Sequence, residues 1–175
     1  MRLPGARASL ALFAAAALAA AAIPSHAAPG SVGHDALSVR PVPAVTLLRG
    51  KADTARVTVT VKEGYHVHAN PASVEYLIPT TLQVRSRAGI TAGKPVYPKG
   101  RQYQLKGSTD KMSIYDGTFE IAVPVRAART VSYGQKVLKA TLRFQACDDK
   151  ACFAPTTLPV EITVNVPDPA KPREP

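Results

Sequence analysis

Apolar residues recur at every second position along Arg56-Val57-Thr58-Val59-Thr60-Val61, and an alternating pattern returns between Val137 and Gln145. Successive side chains of an extended strand point to opposite faces, so this period buries one face and wets the other. Val57, Val59 and Val61 are therefore expected on a buried face. In the second run Leu138, Ala140, Leu142 and Phe144 stand opposite Val137, Lys139, Thr141 and Arg143. No stretch after residue 27 sustains a helical period. The chain has to bury its apolar surface with sheets.

Further strands are expected at residues 45–48, 80–84 and 158–166, with Gly89 closing the second of these. Gly64 turns the chain into Tyr65-His66-Val67-His68, which stops at Asn70-Pro71. Residues 114–125 form a strand pair, or one strand bent at Asp116-Gly117, and Pro124 marks an edge or a strand end. Residues 92–112 show no period and are punctuated by Gly93, Pro95, Pro98, Gly100 and Gly107. They read as a long loop, with Gly100 and Gly107 as turn glycines. Seven to nine short strands with regular turn signals, 16 prolines and no tryptophan predict an all-β protein. An immunoglobulin-like β-sandwich is the expected architecture, with a small barrel as the alternative.

The first 27 residues have another purpose. Arg2 and Arg7 precede an alanine-rich apolar run over residues 10–23, and Ser25-His26-Ala27 offers the small residues of a cleavage site. The run is shorter than the roughly 20 residues that span a bilayer, and Pro24 follows it. Residues 1–27 are read as a secretory signal peptide, residues 28–43 as a flexible lead-in, 44–166 as the sandwich, and 167–175 as a Pro-rich disordered tail. A soluble exported protein is expected. The formal charge of +10 arises from 22 Lys and Arg against 12 Asp and Glu. These basic residues are scattered singly, without a basic run or interleaved aromatics, so a nucleic-acid partner is not expected.

Chemistry concentrates at Cys147 and Cys152, the two cysteines of the chain, in the string Phe144-Gln145-Ala146-Cys147-Asp148-Asp149-Lys150-Ala151-Cys152-Phe153-Ala154-Pro155. Two readings stay open on residues alone. In an exported protein a pair at this spacing is a disulfide staple. Yet a six-residue ring removes only about 2 kcal/mol of denatured-state entropy, and a local pair on a surface loop suits thiol exchange. Asp148 and Asp149 would raise a thiol pKa, and Lys150 and Arg143 would lower it. The acids read equally well as solvated loop residues.

His66 and His68 share a face of their strand. With Met112 or the cysteines they could ligate copper or zinc, but two histidines at this spacing are better read as a structural pair. No metal and no cofactor is expected. A nucleophile elbow, paired catalytic carboxylates and a phosphate-cradling loop are all missing, which leaves hydrolase and nucleotide chemistry unsupported.

The cysteine string, followed by Pro155 and Leu158-Pro159-Val160, resembles the periplasmic N-terminal domain of the thiol:disulfide interchange protein DsbD. So do Gly64-Tyr65-His66-Val67-His68-Ala69-Asn70-Pro71, Pro79-Thr80-Thr81, Tyr97-Pro98 and Ile114-Tyr115-Asp116-Gly117. The resemblance covers most of residues 45–166. It implies an immunoglobulin-like domain in the periplasm that takes electrons from a thioredoxin-like domain. Its electrons then pass to disulfide isomerases or cytochrome-maturation thioredoxins. It also implies that Cys152 forms mixed disulfides with partners and that Cys147 resolves them. The family's full-length proteins continue into membrane helices and a thioredoxin-like domain, so a separate membrane electron donor is expected here. The family's aromatic cap loop has its nearest equivalent in Tyr103-Gln104-Leu105-Lys106-Gly107, and residues 99–112 are expected to cover the cysteines. The alternative is a non-catalytic accessory module, for copper handling or protein assembly, with a structural disulfide.

Overall fold

The computed structural model describes residues 32–104 and 109–171. Residues 1–27, expected as a signal peptide, residues 28–31, Leu105, Gly107 and the tail beyond residue 171 lie outside them. A helical turn, α1 (Val32–Asp35), leads into β1 (Leu37–Val39), β2 (Val45–Thr46), β3 (Ala52–Val61), β4 (His66–His68), β5 (Thr81–Val84) and β6 (Ile90–Ala92). Then follow β7 (Arg101–Gln104), β8 (Lys111–Tyr115), β9 (Thr118–Ala127), β10 (Gly134–Phe144), β11 (Ala146–Cys147) and β12 (Thr156–Val166).

The alternation in β3 does what the strand period demands. β3 pairs antiparallel with β9, setting Val57 opposite Ile121 and Val59 opposite Phe119. These strands form one sheet in the order β1-β3-β9-β6, and a second runs β2-β12-β10-β5. Their inward faces supply a common core. Val57, Val59, Ile121 and Val123 come from the first sheet, Leu138, Leu142, Phe144, Ile162 and Val164 from the second, and all are fully buried. Burying each such side chain contributes about 1.5–3 kcal/mol. The all-β sandwich expected from the sequence is thus present.

A third, smaller sheet, β11-β4-β8-β7, grows from one end of the sandwich. β3 runs on into β4, β8 feeds β9 through the turn at Asp116-Gly117, and β10 runs on into β11. Gly117 takes φ +62° in that turn, a backbone region that side chains other than glycine's disfavour. β8 and β9 are therefore consecutive strands of different sheets.

Several expectations change. Order begins before residue 44, because Leu37 and Val39 pair with Val61 and Val59 of β3, and Leu37 is buried in the core. The supposed long loop over residues 92–112 contains β7 and the start of β8, which pair with Tyr103 opposite Met112. Pairing to each other rather than covering the core, these strands carry no apolar alternation. Pro124 lies inside β9, between β3 and β6, instead of at an edge. Its missing N–H falls where β6 has ended: Gly93 donates to the Pro124 carbonyl, and pairing resumes only at Val96 with Ala122. Gly100 is needed for close approach, since a Cβ there would stand 2.6 Å from the Ala69 Cβ. The described residues hold twelve strands, more than nine, because strands of two or three residues such as β1, β6 and β11 are too short to show a period.

Candidate functional site

β10 does not end in a loop. It continues past Phe144 into β11, where Ala146 and Cys147 pair with Val67 and His66 of β4. The chain then folds back tightly. Phe153 N–H donates to the Ala146 carbonyl at 2.8 Å, and Asp148 N–H donates to the Ala151 carbonyl at 3.0 Å. Cys147 and Cys152 face each other across this small hairpin, Cα atoms 3.9 Å apart, and are joined by a disulfide. The expectation of two cysteines on a surface loop therefore needs correcting. Cys147 is 1% exposed within a sheet, and only Cys152 reaches solvent.

Asp148 builds the hairpin turn. Its Oδ1 accepts from the backbone N–H of Lys150 and of Ala151, each at 2.8 Å. The Ala151 and Lys150 amides hold its carboxyl below the usual carboxylate range. This is a local turn-forming contact, so Asp148 is more than a solvated loop acid. Asp149 and Lys150 sit exposed at the tip. Arg143 lies outside the hairpin on the outer face of β10, opposite Thr157 and Thr81.

Beneath the disulfide lies β4. His68 is 1% exposed, and its Nε2 stands 3.7 Å from Cys147 Sγ. Nδ1 faces the Ile78 carbonyl at 3.3 Å, a partner that can only accept, so Nδ1 carries the proton and Nε2 presents a lone pair to the sulfur. The backbone of His68 is fixed as well: its carbonyl accepts from Thr80 N–H at 3.0 Å and from Thr80 Oγ1 at 2.7 Å. Burial lowers the pKa of both His68 and His66, and the charge of His68 lowers that of His66 further. The period-two pattern HVH had placed both rings on one face. It could not reveal their neighbour, because the pairing of β4 with β11 joins segments about 80 residues apart in sequence. Ile78 and Thr80, which orient His68, lie only 10 and 12 residues further along, but they meet it through a loop whose path no sequence period marks.

Tyr103, expected as part of a cap, packs its ring 4.8 Å from that of His66, the residue paired with Cys147. Arg101 reaches from the same strand to Asp116, with Nε donating to Oδ2 at 2.9 Å. Through that bond Arg101 holds the Asp116 carboxyl below its ordinary range. Tyr115 ties β8 down by donating its hydroxyl to the Pro98 carbonyl at 2.8 Å. Leu105 lies outside the described residues. On the other flank, the rings of Tyr65 and Phe153 meet at 5.9 Å. Together Tyr65, His66, Tyr103, Asp116 and Asp149 border a groove beside the hairpin. Another groove, lined by Leu48, Arg49, Tyr133 and Pro167, lies at the far end of β10, away from the cysteines.

A short hairpin thus holds a buried cysteine bonded to an exposed one. The sequence model of the family described as "Thiol:disulfide interchange protein DsbD, N-terminal" matches residues 34–163, a span that includes both cysteines and all of β3 to β11. The chain belongs to this family. Among solved structures it is similar to the reduced N-terminal domain of Neisseria meningitidis DsbD, with 17% identity and a TM-score of 0.48, over 75% of this chain and 88% of that one. It is also similar to the N-terminal periplasmic domain of ScsB from Proteus mirabilis, with 12% identity and a TM-score of 0.47, over 77% of this chain and 47% of that one. No curated protein sequence matches. Family membership agrees with the immunoglobulin-like sandwich and with a cysteine pair suited to thiol:disulfide exchange. Among the described residues, no helix is long and apolar enough to cross a membrane.

Proposed function

We propose that the protein is exported to the periplasm by residues 1–27 and relays electrons through Cys147 and Cys152. The donor is a thioredoxin-like domain. The acceptors are periplasmic disulfide isomerases or cytochrome-maturation thioredoxins. The observation that carries this reading is the unequal exposure of the two sulfurs, because thiol exchange requires an attacking sulfur to approach along the S–S axis. With Cys147 buried, the open approach is to Cys152.

The steps balance. A donor thiolate attacks Cys152 Sγ, the intramolecular disulfide breaks, and Cys147 leaves with the bonding pair and takes up a proton. The donor's second thiolate then attacks its own sulfur in the mixed disulfide. The donor departs oxidised, and Cys152 is freed as a thiolate. In the second half Cys152 attacks an acceptor disulfide. Cys147, losing its proton, displaces the acceptor as a dithiol and restores the Cys147–Cys152 bond. Two electrons cross per cycle. The hairpin hydrogen bonds around Asp148 keep the two sulfurs within reach throughout. The β7–β8 hairpin packs Tyr103 against His66, the residue paired with Cys147, and leaves Cys152 open to partners.

Trapping tests the assignment. Cys147→Ser leaves Cys152 without its resolver and is expected to accumulate a mixed disulfide with a thioredoxin-like partner on non-reducing gels. Cys152→Ser is expected to accumulate far less. Equal trapping by the two variants would overturn the roles, and no trapping by either would restore the accessory-module reading.

A further inference from the structure

The site holds one feature that electron relay does not use: an imidazole lone pair aimed at the sulfurs from the buried side. His68 Nε2, Cys147 Sγ and Cys152 Sγ lie within 4.8 Å of one another. We propose that, once the disulfide is reduced, these three atoms bind a thiophilic d10 cation, Zn2+ or Cu+, and so mask the dithiol.

Four observations support the site. The donor set of two thiolates and one imidazole is the soft combination these ions select. The distance fits as well: a nitrogen and a sulfur on one tetrahedral zinc stand about 3.6 Å apart, from bond lengths of about 2.05 and 2.3 Å. His68 Nε2 and Cys147 Sγ are already 3.7 Å apart. Two thiolates on one metal stand about 3.8 Å apart, roughly the separation of two non-bonded sulfurs, a spacing that breaking the S–S bond makes accessible by side-chain rotation. The third observation is the orientation of the ring. A metal-binding histidine almost always donates its other N–H to a carbonyl or carboxylate, which fixes the tautomer. Here the Ile78 carbonyl occupies that position, and Thr80 anchors the backbone behind it. Fourth, the site is open on one side, at exposed Cys152, leaving an entry path and a free coordination position.

The chemistry balances without an external oxidant. Reduction places two electrons and two protons on the cysteines, and the ion then displaces those protons to form two metal–thiolate bonds. In the oxidised protein the lone pairs needed for thiolate ligation are not available, so the site exists in one redox state only. The bound ion would withhold both sulfurs from partners and from adventitious oxidants.

The inference rests on the proposed exchange only in requiring a reducible pair, so its test uses chemical reduction. The protein is reduced, freed of reductant without air, and titrated with Co2+ as the spectroscopic stand-in for Zn2+. In parallel, Cu+ is titrated against a chromophoric chelator. One equivalent of ion and a thiolate-to-cobalt charge-transfer band are expected for the reduced chain, and neither for the oxidised chain. His68→Gln, which keeps side-chain volume and polarity, is expected to weaken binding by at least about tenfold. X-ray absorption of the zinc-loaded wild-type protein, expected to show two sulfurs and at least one imidazole nitrogen, covers the case in which that variant does not fold. The proposal is overturned by failure of the reduced chain to bind either ion, by equal binding to the oxidised chain, by undiminished binding to folded His68→Gln, or by a metal shell without imidazole. A chain that binds metal yet exchanges with no thioredoxin-like protein would instead contradict the function proposed above.

Discussion

Reducing the Cys147–Cys152 bond should leave the protein folded and lower its stability by about 2 kcal/mol. Cross-linking stabilises mainly by removing entropy from the unfolded chain, and for a closed loop of six residues the loop-length relation gives about 2.2 kcal/mol at 25 °C. The folded side of the balance changes little. The hairpin keeps the Phe153–Ala146 and Asp148–Ala151 backbone bonds and the two amide bonds to the Asp148 carboxylate. The pairing of Cys147 with His66 of β4 is made by backbone and does not depend on the S–S bond. The assay compares urea denaturation of the oxidised and chemically reduced wild-type protein, with equal slopes and a shifted midpoint expected. By the thermodynamic cycle, the folded pair should be harder to reduce than the same pair in the unfolded chain by about 45 mV, which is that free energy converted for a two-electron couple. A loss of about 5 kcal/mol, or unfolding on reduction, would refute the reasoning and make the bond a staple.

Three other outcomes follow from the site. Asp148→Ala should loosen the hairpin and make the disulfide easier to reduce, whereas Asp148→Asn, which retains an acceptor for the two amides, should not; redox titration of both variants checks this. Tyr103→Ala should speed alkylation of the reduced pair by a small reagent, and an unchanged rate would confine Tyr103 to packing on His66. The third outcome concerns pH. His66 and His68 are held below their ordinary value of 6.5, chiefly by burial, so below that pH the unfolded chain binds more protons than the folded one. Stability of the oxidised protein should be full above about pH 6.5 and fall as pH drops through 6.5 towards the depressed folded values. A denaturant midpoint that rises between about pH 7 and pH 5 would contradict this.

The long strands were legible because each presents one face to the core, and burial imposes a period of two on them. Val57, Val59 and Val61 in β3, and the run ending at Phe144 in β10, show this directly. β7 and the first residues of β8 were not legible, since their pairing is by backbone hydrogen bonds and leaves no apolar alternation over residues 101–112. Gly100 looked like a turn residue because sequence cannot distinguish a glycine chosen for its φ from one chosen for lack of a side chain. At the site, the spacing of Cys147 and Cys152 pointed to a local disulfide, and the structure contains it. Their unequal burial was hidden, because it depends on β11 adding to β4 in a third sheet. That same long-range pairing turns His68 from a strand residue into the neighbour of Cys147.

The central claim, that the cysteine pair exchanges reversibly instead of stapling the fold, is tested most directly by its reduction potential. The wild-type protein is equilibrated in dithiothreitol and glutathione redox buffers, and the fraction oxidised is read after acid quenching and alkylation. Structural disulfides of exported proteins lie below about −300 mV, and labile or catalytic ones lie above it. The short ring, the exposed Cys152 and the modest stabilisation predict a value more oxidising than about −300 mV. A potential below that figure would mean that the bond resists physiological thiols, and the protein would not be an electron relay.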